Sequence, residues 1–418
     1  MKLNQLLILG LGAMMIMACR REGCTDQTAN NYDKKAKKDN GTCQYGNDPS
    51  NPGGGGGTGG ETLPIRLTGT ENGDITVLDK SSNPNVADYY IDGLWSINSN
   101  VTINPGVRIE MRPGARITVN ANGSLNATGT VSNKIDIFGA QNVNGYWNNI
   151  EFNSNNPNNK LIYCNISNGS NYYGSEPGMI IVSNNSQVTI KNTTISKGSE
   201  FGLMTIGENA KLPGFESNYF SAFSKGAIRL ASLAHTNFLD NSTIIAPDNT
   251  IPQIYIYGVT VKSNTFVPKM SAAYSIREHV SIENAHVKVE AGVELRMAAD
   301  TRMLVKNSGS LEFDGTVSNP CNVIGDVAAK GYWYNIEYQS NNPNNRISYT
   351  NIANGRNYYG SEPGVVRLNY NASLSMNNSH ISNTTTQAVQ KSSSSGAIFN
   401  NNGGNSWSDC DGGGGLLP

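Results

Sequence analysis

The strongest constraint on this chain is that it repeats itself. GYWNNIEFNSNNPNNKLIYCNISNGSNYYGSEPG, Gly145 to Gly178, returns as GYWYNIEYQSNNPNNRISYTNIANGRNYYGSEPG, Gly331 to Gly364, with 25 of 34 positions identical. The same offset of 186 residues carries Val107 onto Val293, Gly123 onto Gly309, Gly129-Thr130 onto Gly315-Thr316 and Ile195 onto Ile381 without a gap. The pattern predicts two copies of one long unit joined head to tail, in a fold whose successive lengths complete one another's core. The second copy is shorter. Its counterpart of Phe201 to Thr250 is reduced to QAVQKSSSSGAIFNNNGGNSWSDCDGGGGLLP, so that end needs a cap, for which Trp407 and Cys410 are the candidates.

Within each copy, short alternating runs are broken by Asn, Gly and Pro. Alternation predicts inward sets Val107, Ile109, Met111 and Ala115, Ile117, Val119, then Val293, Leu295, Met297 and Thr301, Met303, Val305. Arg108, Glu110, Arg112, Arg116, Glu294, Arg296 and Arg302 point outward. Two or three inward residues per strand are too few for a freestanding sandwich layer, and Asn-Gly hairpin signals do not join the strands consistently in pairs. Stacking resolves this. About three strands and their turns make one coil of roughly 20 to 25 residues, and each Ile, Val or Leu in the resulting columns contributes about 1.5 to 3 kcal/mol. Composition agrees: only 15% of residues are charged, whereas Asn fills 58 of 418 positions and Gly 45. Asn tolerates the left-handed backbone needed at coil corners. A net charge of -1 offers no field to hold a polyanion, so nucleic acid is not an expected partner.

Residues 1 to 18 carry one Lys, an apolar run from Leu6 to Met17 and then Ala18. The run is too short for a spanning helix, which needs roughly 20 apolar residues, and reads as an export signal. The tetrad Ile16-Met17-Ala18-Cys19 resembles the lipobox of bacterial lipoproteins. That resemblance implies cleavage before Cys19, acylation of its sulfur and membrane lipid as a partner, each buried methylene adding about 0.8 kcal/mol. Cys24 and Cys43 bracket a polar segment with almost no aliphatic residues, and a disulfide closing that loop contributes about 3 kcal/mol in the chain-entropy model. The segment is similar to a short Gly-Cys-Thr-Asp … Asp-Gly-Ser-Cys-x-Tyr module of bacterial surface proteins, here with Asn40-Gly41-Thr42 before Cys43. Asp26, Asp33 and Asp39 fit a calcium ion or turn and cap duties equally well, and no metal site is assigned. NDPSNPGGGGGTGGE then forms a flexible tether with a root-mean-square reach of about 20 Å.

The segments ITVNANGSLNATGTVSNKIDIFG, GYWNNIEF with GYWYNIEY, and NNKLIYCNISNG resemble right-handed parallel β-helix proteins of the pectin-lyase-like type, in particular bacterial surface lipoproteins with long β-helix repeats. The resemblance covers most of residues 65 to 400 and implies an all-β fold. It defines function poorly, because these modules occur in lyases, hydrolases, adhesins and proteins of unassigned role. A lyase of this type needs clustered acidic residues, calcium and a basic proton acceptor. Asp136, Asp300, Asp314 and Asp326 are isolated in sequence, and His279 and His286 fall on opposite faces of a continuous strand, so neither a catalytic residue nor a cofactor is assigned. Cys164, alternating with Ile162 and Ile166, and Cys321, in the place of Ile135, read as small buried hydrophobes; a Cys321 to Cys410 bridge is left open.

NYYGSEPG, present in both copies, is the candidate ligand site. At least one of Tyr172 and Tyr173, and one of Tyr358 and Tyr359, is expected to be exposed beside Glu176 or Glu362, with Trp147 or Trp333 a coil away. Such rings stack on sugar faces while carboxylate and amide take the hydroxyls, although outer packing of the tyrosines and edge coverage by the tryptophans explain the same residues. The organisation expected is thus a signal at 1–18, a lipidated and disulfide-closed module at 19–46, a Gly-rich linker at 47–64, and β-helix units at 65–250 and 251–418. The functional expectation is a non-catalytic adhesive or glycan-binding scaffold of the cell envelope, carried as an outer-membrane lipoprotein facing the periplasm or the surface. A polysaccharide lyase or glycoside hydrolase is the alternative, and a plain spacer a third reading.

Overall fold

The structure, a computed structural model, describes residues 21–25, 32–39, 63–170, 177–258, 260–358, 360, 362–393 and 396–417. It divides into two units, Met1–Ile65 and Arg66–Pro418. In the first, the two-residue strands Glu22–Gly23 and Lys38–Asp39 pair in parallel, with Lys38 Nζ 2.6 Å from Glu22 Oε1. Asp33 does turn work: its carboxylate takes Arg21 Nε at 2.8 Å and the Lys35 amide at 2.9 Å. That amide, with Arg21, holds the Asp33 carboxyl below the ordinary carboxylate range. Cys24 is buried and disulfide-bonded. Asp26, Cys43, the signal with Cys19 and the Gly-rich tether lie outside the described residues.

The second unit is a parallel β-helix. Strand pairings among the described residues are parallel throughout, as stacked coils require and as hairpins forbid. One ladder runs nearly the whole length. Its inward row reads Trp95, Ile117, Ile150, Ile180, Leu203, Ile228, Ile254, Tyr274, Leu295, Val323, Ile352, Ile381 and Trp407, each in register with the next. All but Trp407 are buried to 1% exposure or less, so an inward column runs unbroken on this side, aliphatic except at Trp95, Tyr274 and Trp407. The inward sets around Val107, Ala115, Val293 and Thr301 are all buried. Coils vary more than the expected 20 to 25 residues: 20 separate Ile254 from Tyr274, and 33 separate Ile117 from Ile150. The excess lies in corner loops such as 140–149, which add length without adding strand.

The other two sides are less continuous. One ladder climbs from Arg108–Met111 through Ile135–Gly139, Cys164–Ser167, Thr194–Gly198 and Tyr219–Phe223 and ends at Ile244–Ile245. A different one starts at Thr260–Val261 and continues through Val280–Glu283, Met303–Lys306, Ile336–Tyr338, Gly364–Leu368 and Gln387–Lys391. The third side carries over from Thr189–Lys191 to Thr265–Val267 by single bridges and the 3-10 turn Leu233–Phe238, where Thr236 Oγ1 donates to Phe266 O at 2.8 Å. On the first two sides, segments 186 positions apart therefore fall on different ladders. Gly178–Val182 is in the long ladder, and Gly364–Leu368 is in the ladder that begins at Thr260.

The asparagine excess has a structural use. Asn159, Asn218, Asn249, Asn345 and Asn405 are buried at coil corners and stitch coils together. Asn159 Oδ1 accepts the Leu125 amide at 3.1 Å while its Nδ2 donates to Ser154 O at 3.0 Å and Gln187 O at 3.1 Å. Asn345 repeats this toward Leu311 N at 3.2 Å and Ser340 O at 2.8 Å. Other asparagines, among them Asn168, Asn192, Asn354 and Asn378, take the positive φ values at which the chain turns between sides. The last coil is covered by the Gly-rich stretch after Cys410, whose Gly413 and Gly414 carbonyls accept from Ala388 and Val389 at 3.0 and 3.3 Å.

Candidate functional site

The site is built on the ladder that begins at Thr260. Register places Leu304, Glu337, Arg367 and Gln390 in one outward row, alternating with inward Val305, Ile336, Tyr338, Val366 and Leu368. The segment after Ala353 turns back over this outer face, and Glu337 beneath it has no exposed surface. The buried carboxylate is held from several coils. Arg367 Nη1 lies 3.4 Å from Glu337 Oε1, Arg302 Nη1 3.8 Å from Oε2, and Gln339 Nε2 donates to Oε1 at 2.8 Å. Arg367 also reaches Glu362 Oε2 at 3.6 Å. Glu362, at φ 54, is fixed from the other side by Ser392 and Ser393; these hydroxyl and amide donors, with Arg367 behind them, lower its carboxyl to about 2.

Above the charged layer sits an aromatic one. The Tyr358 ring lies over the Arg302 guanidinium at 3.8 Å and meets Tyr334 edge-on at 4.8 Å, with His279 at 5.9 Å from Tyr358. Arg356 covers Tyr334 at 4.6 Å and pairs with Asp300. Partial burial, then the neighbouring Arg302 charge, lowers the His279 pKa and favours a neutral imidazole. Tyr334, Arg356, Asn357, Tyr358, Pro363 and Thr386 line an open cavity of about 450 Å³. Arg356 Nε, Asn357 Oδ1 and Thr386 Oγ1 have no hydrogen-bond partner among the described residues, an uncommon density of unsatisfied polar atoms for one wall.

Of the residues expected from sequence, Tyr358 and Glu362 belong to this site. Tyr172, Tyr173, Glu176 and Tyr359 lie outside the described residues. Trp147 and Trp333 require a correction: both have no exposed surface, and their indole N–H groups donate to the Ser167 and Ala353 carbonyls at 2.7 Å. A large ring whose only polar group is satisfied by the next coil is a core wedge, with no face left for a ligand. The expected alternation around Cys164 is also corrected. Tyr163 at φ 50 interrupts the strand, so Leu161 and Cys164 face inward and Ile162 does not. Cys164, Cys321 and Cys410 are buried free thiols, which excludes a Cys321 to Cys410 bridge; burial pushes the Cys164 thiol up to about 12 and Cys321 to about 11. His279 and His286 are not on one continuous strand, because Asn284 at φ 54 turns the chain between them, and His286 instead bonds Ser310 Oγ at 2.8 Å.

Tyr334, Arg356, Arg367, Asp300, Arg302, Glu337 and His279 were not expected at the site. A signal was present for four of them. They are departures between the copies: Tyr334 stands where Asn148 does, Arg356 for Ser170, Arg367 for Ile181 and Asp300 for Gly114. Among the described residues no group of three or more His, Cys, Asp or Glu side chains is placed to hold a metal ion, and no helix is long and apolar enough to cross a membrane. No family profile, curated protein or solved structure matches the chain.

Proposed function

We propose that this chain is a non-catalytic cell-envelope scaffold, anchored through acylated Cys19 and a Cys24–Cys43 module, whose two-copy β-helix presents a carbohydrate-binding basin at Tyr334 and Tyr358. The observation that carries the reading is the open aromatic cavity itself. Two tyrosine rings 4.8 Å apart, backed by Arg302 and Arg356, combine apolar ring faces with amide, hydroxyl and guanidinium groups, the mixture a pyranose requires. The Glu337, Arg302 and Arg367 layer serves to hold Tyr358 and Glu362 in place. Glycan-array binding of the lipid-free chain tests this. Tyr334→Ala with Tyr358→Ala should lower binding at least tenfold, and unchanged binding refutes the basin.

One observation favours a polysaccharide lyase or hydrolase of the pectin-lyase-like class: Glu337 gathers two guanidinium groups within 3.8 Å on one sheet face. A catalytic carboxylate must reach its substrate, however, and Glu337 has no exposed surface. Incubation with oligosaccharides that bind the chain separates the readings. Unsaturated or reducing ends that appear with the intact protein and vanish with Glu337→Gln favour the enzyme.

A further inference from the structure

His235 is the one of the four histidines that the fold buries, at 2% exposure, and the Tyr334 basin makes no use of it. It sits in the 3-10 turn Leu233–Phe238, which precedes the end of one ladder at Ile245 and the start of another at Thr260. The turn joins coils. Thr236 Oγ1 donates to Phe266 O at 2.8 Å, Asn237 Oδ1 accepts the Phe266 amide at 2.6 Å and Asn237 Nδ2 donates to Asn264 O at 3.0 Å, so the strand Thr265–Val267 rests on it. The His235 ring ties the turn to the preceding coil: Nδ1 lies 2.9 Å from Thr205 Oγ1 and Nε2 lies 3.1 Å from the Glu208 carbonyl oxygen. These partners fix the proton count. A carbonyl only accepts, so Nε2 carries the hydrogen and Nδ1 accepts from the Thr205 hydroxyl. Thr205 Oγ1 in turn accepts the Ala231 amide at 2.9 Å.

A second ring proton would face an oxygen that already accepts once, turn the Thr205 hydrogen away from its acceptor and leave a charge in a buried site. Among the described residues no carboxylate pairs with the ring, and the Glu208 side chain is exposed. The strands Phe201–Thr205 and Thr265–Val267 carry no charged residue, Phe238 stands 6.2 Å from the ring, and Arg229, the cation of Gly226–Leu230, is stacked on Tyr257 at 4.4 Å. Burial accordingly lowers the His235 pKa from its ordinary 6.5, against a smaller lift from the Glu208 carbonyl and carboxylate. We infer that His235 makes this turn a proton-operated joint, closed while the ring is neutral and released when mild acid charges it. An open turn exposes an ordinary imidazole, so the closed joint is fully stable above pH 6.5 and loses stability as pH falls below that value. At about pH 5 the open form gains at most a factor of about 30, the proton-binding ratio of a free imidazole there.

Hydrogen exchange of the full chain at about pH 7 and about pH 5, corrected for the intrinsic exchange rate, tests the joint. Protection of residues 231–239 should fall about tenfold between the two, while that of the strand Arg116–Val119 stays unchanged. His235→Gln keeps an acceptor toward Thr205 and a donor toward Glu208 but takes no proton, so its protection at the lower pH should stay at the neutral value. Should that variant fail to fold or open at both pH values, imidazole titration of the unaltered chain by NMR decides: the ring with the solvent-protected Nε2–H should titrate below 6.5. Unchanged protection of residues 231–239 across the range, the same loss in His235→Gln, or a His235 midpoint at or above 6.5 overturns the inference.

Discussion

Arg367→Ile installs the residue found 186 positions earlier, Ile181, and removes one of the two guanidinium groups facing buried Glu337. Removing the partner of a buried charge costs about 3 to 5 kcal/mol when nothing replaces it. Here Arg302 at 3.8 Å and the Gln339 and Asn369 amides at 2.8 and 3.3 Å remain on the carboxylate. The expected loss is therefore smaller, about 2 to 3 kcal/mol. The side chains lost and gained are both buried, since Arg367 is only 5% exposed, so solvent cannot absorb the imbalance. Combining Arg367→Ile with Glu337→Gln should recover about half of that loss, because the neutral amide no longer needs a cation. Urea unfolding of the wild type, both single variants and the double variant gives the coupling directly, with about 1 to 2 kcal/mol of non-additivity expected. Additive single effects would show that Glu337 and Arg367 do not depend on each other, and the account of what fixes Tyr358 would fail.

Three further outcomes follow from the same structure. Asn159→Ala leaves the Leu125 amide buried without an acceptor and should cost about 2 to 4 kcal/mol, with faster hydrogen exchange at Leu125, whereas exposed Asn158→Ala should cost under about 0.5 kcal/mol. The Glu362 carboxyl is lowered from its ordinary 4.5 to about 2, so its latch on Ser393 stabilises the fold above pH 4.5 and is lost as pH falls toward 2; Glu362→Gln should flatten that part of the acid-unfolding curve. Trp333→Ala should destabilise by about 3 to 5 kcal/mol through cavity formation. Trp333→Phe should cost less and leave glycan binding intact if the ring has no ligand role.

Period-two alternation names the inward residues of an unbroken strand, because successive side chains point to opposite faces, and it fails where a residue such as Tyr163 at φ 50 breaks the strand. Val107, Ile109, Met111 and their counterparts Val293, Leu295, Met297 are accordingly all in the core. Alternation says which way a side chain points but not which side of the coil its strand joins. The end of one ladder at Ile245 and the start of another at Thr260 was therefore not legible. The candidate site was half legible for a related reason. Tyr358 and Glu362 sit within the conspicuous NYYGSEPG repeat, but Arg302, Glu337 and Arg367 meet only through stacking of successive coils. Trp147 and Trp333 misled because an aromatic beside a Tyr-rich loop reads as a platform until its indole N–H is seen bonded to the chain.

The change of ladder between Ile245 and Thr260 alters what duplication gives this protein. A tandem copy in a solenoid that kept its phase would place equivalent corners above one another, aimed the same way. Here the later Pro-Gly corner, at Gly364, is shifted to another side of the shaft from the earlier one, at Gly178. The side chains that flank Gly178 and Gly364 therefore leave the shaft along two bearings and not one.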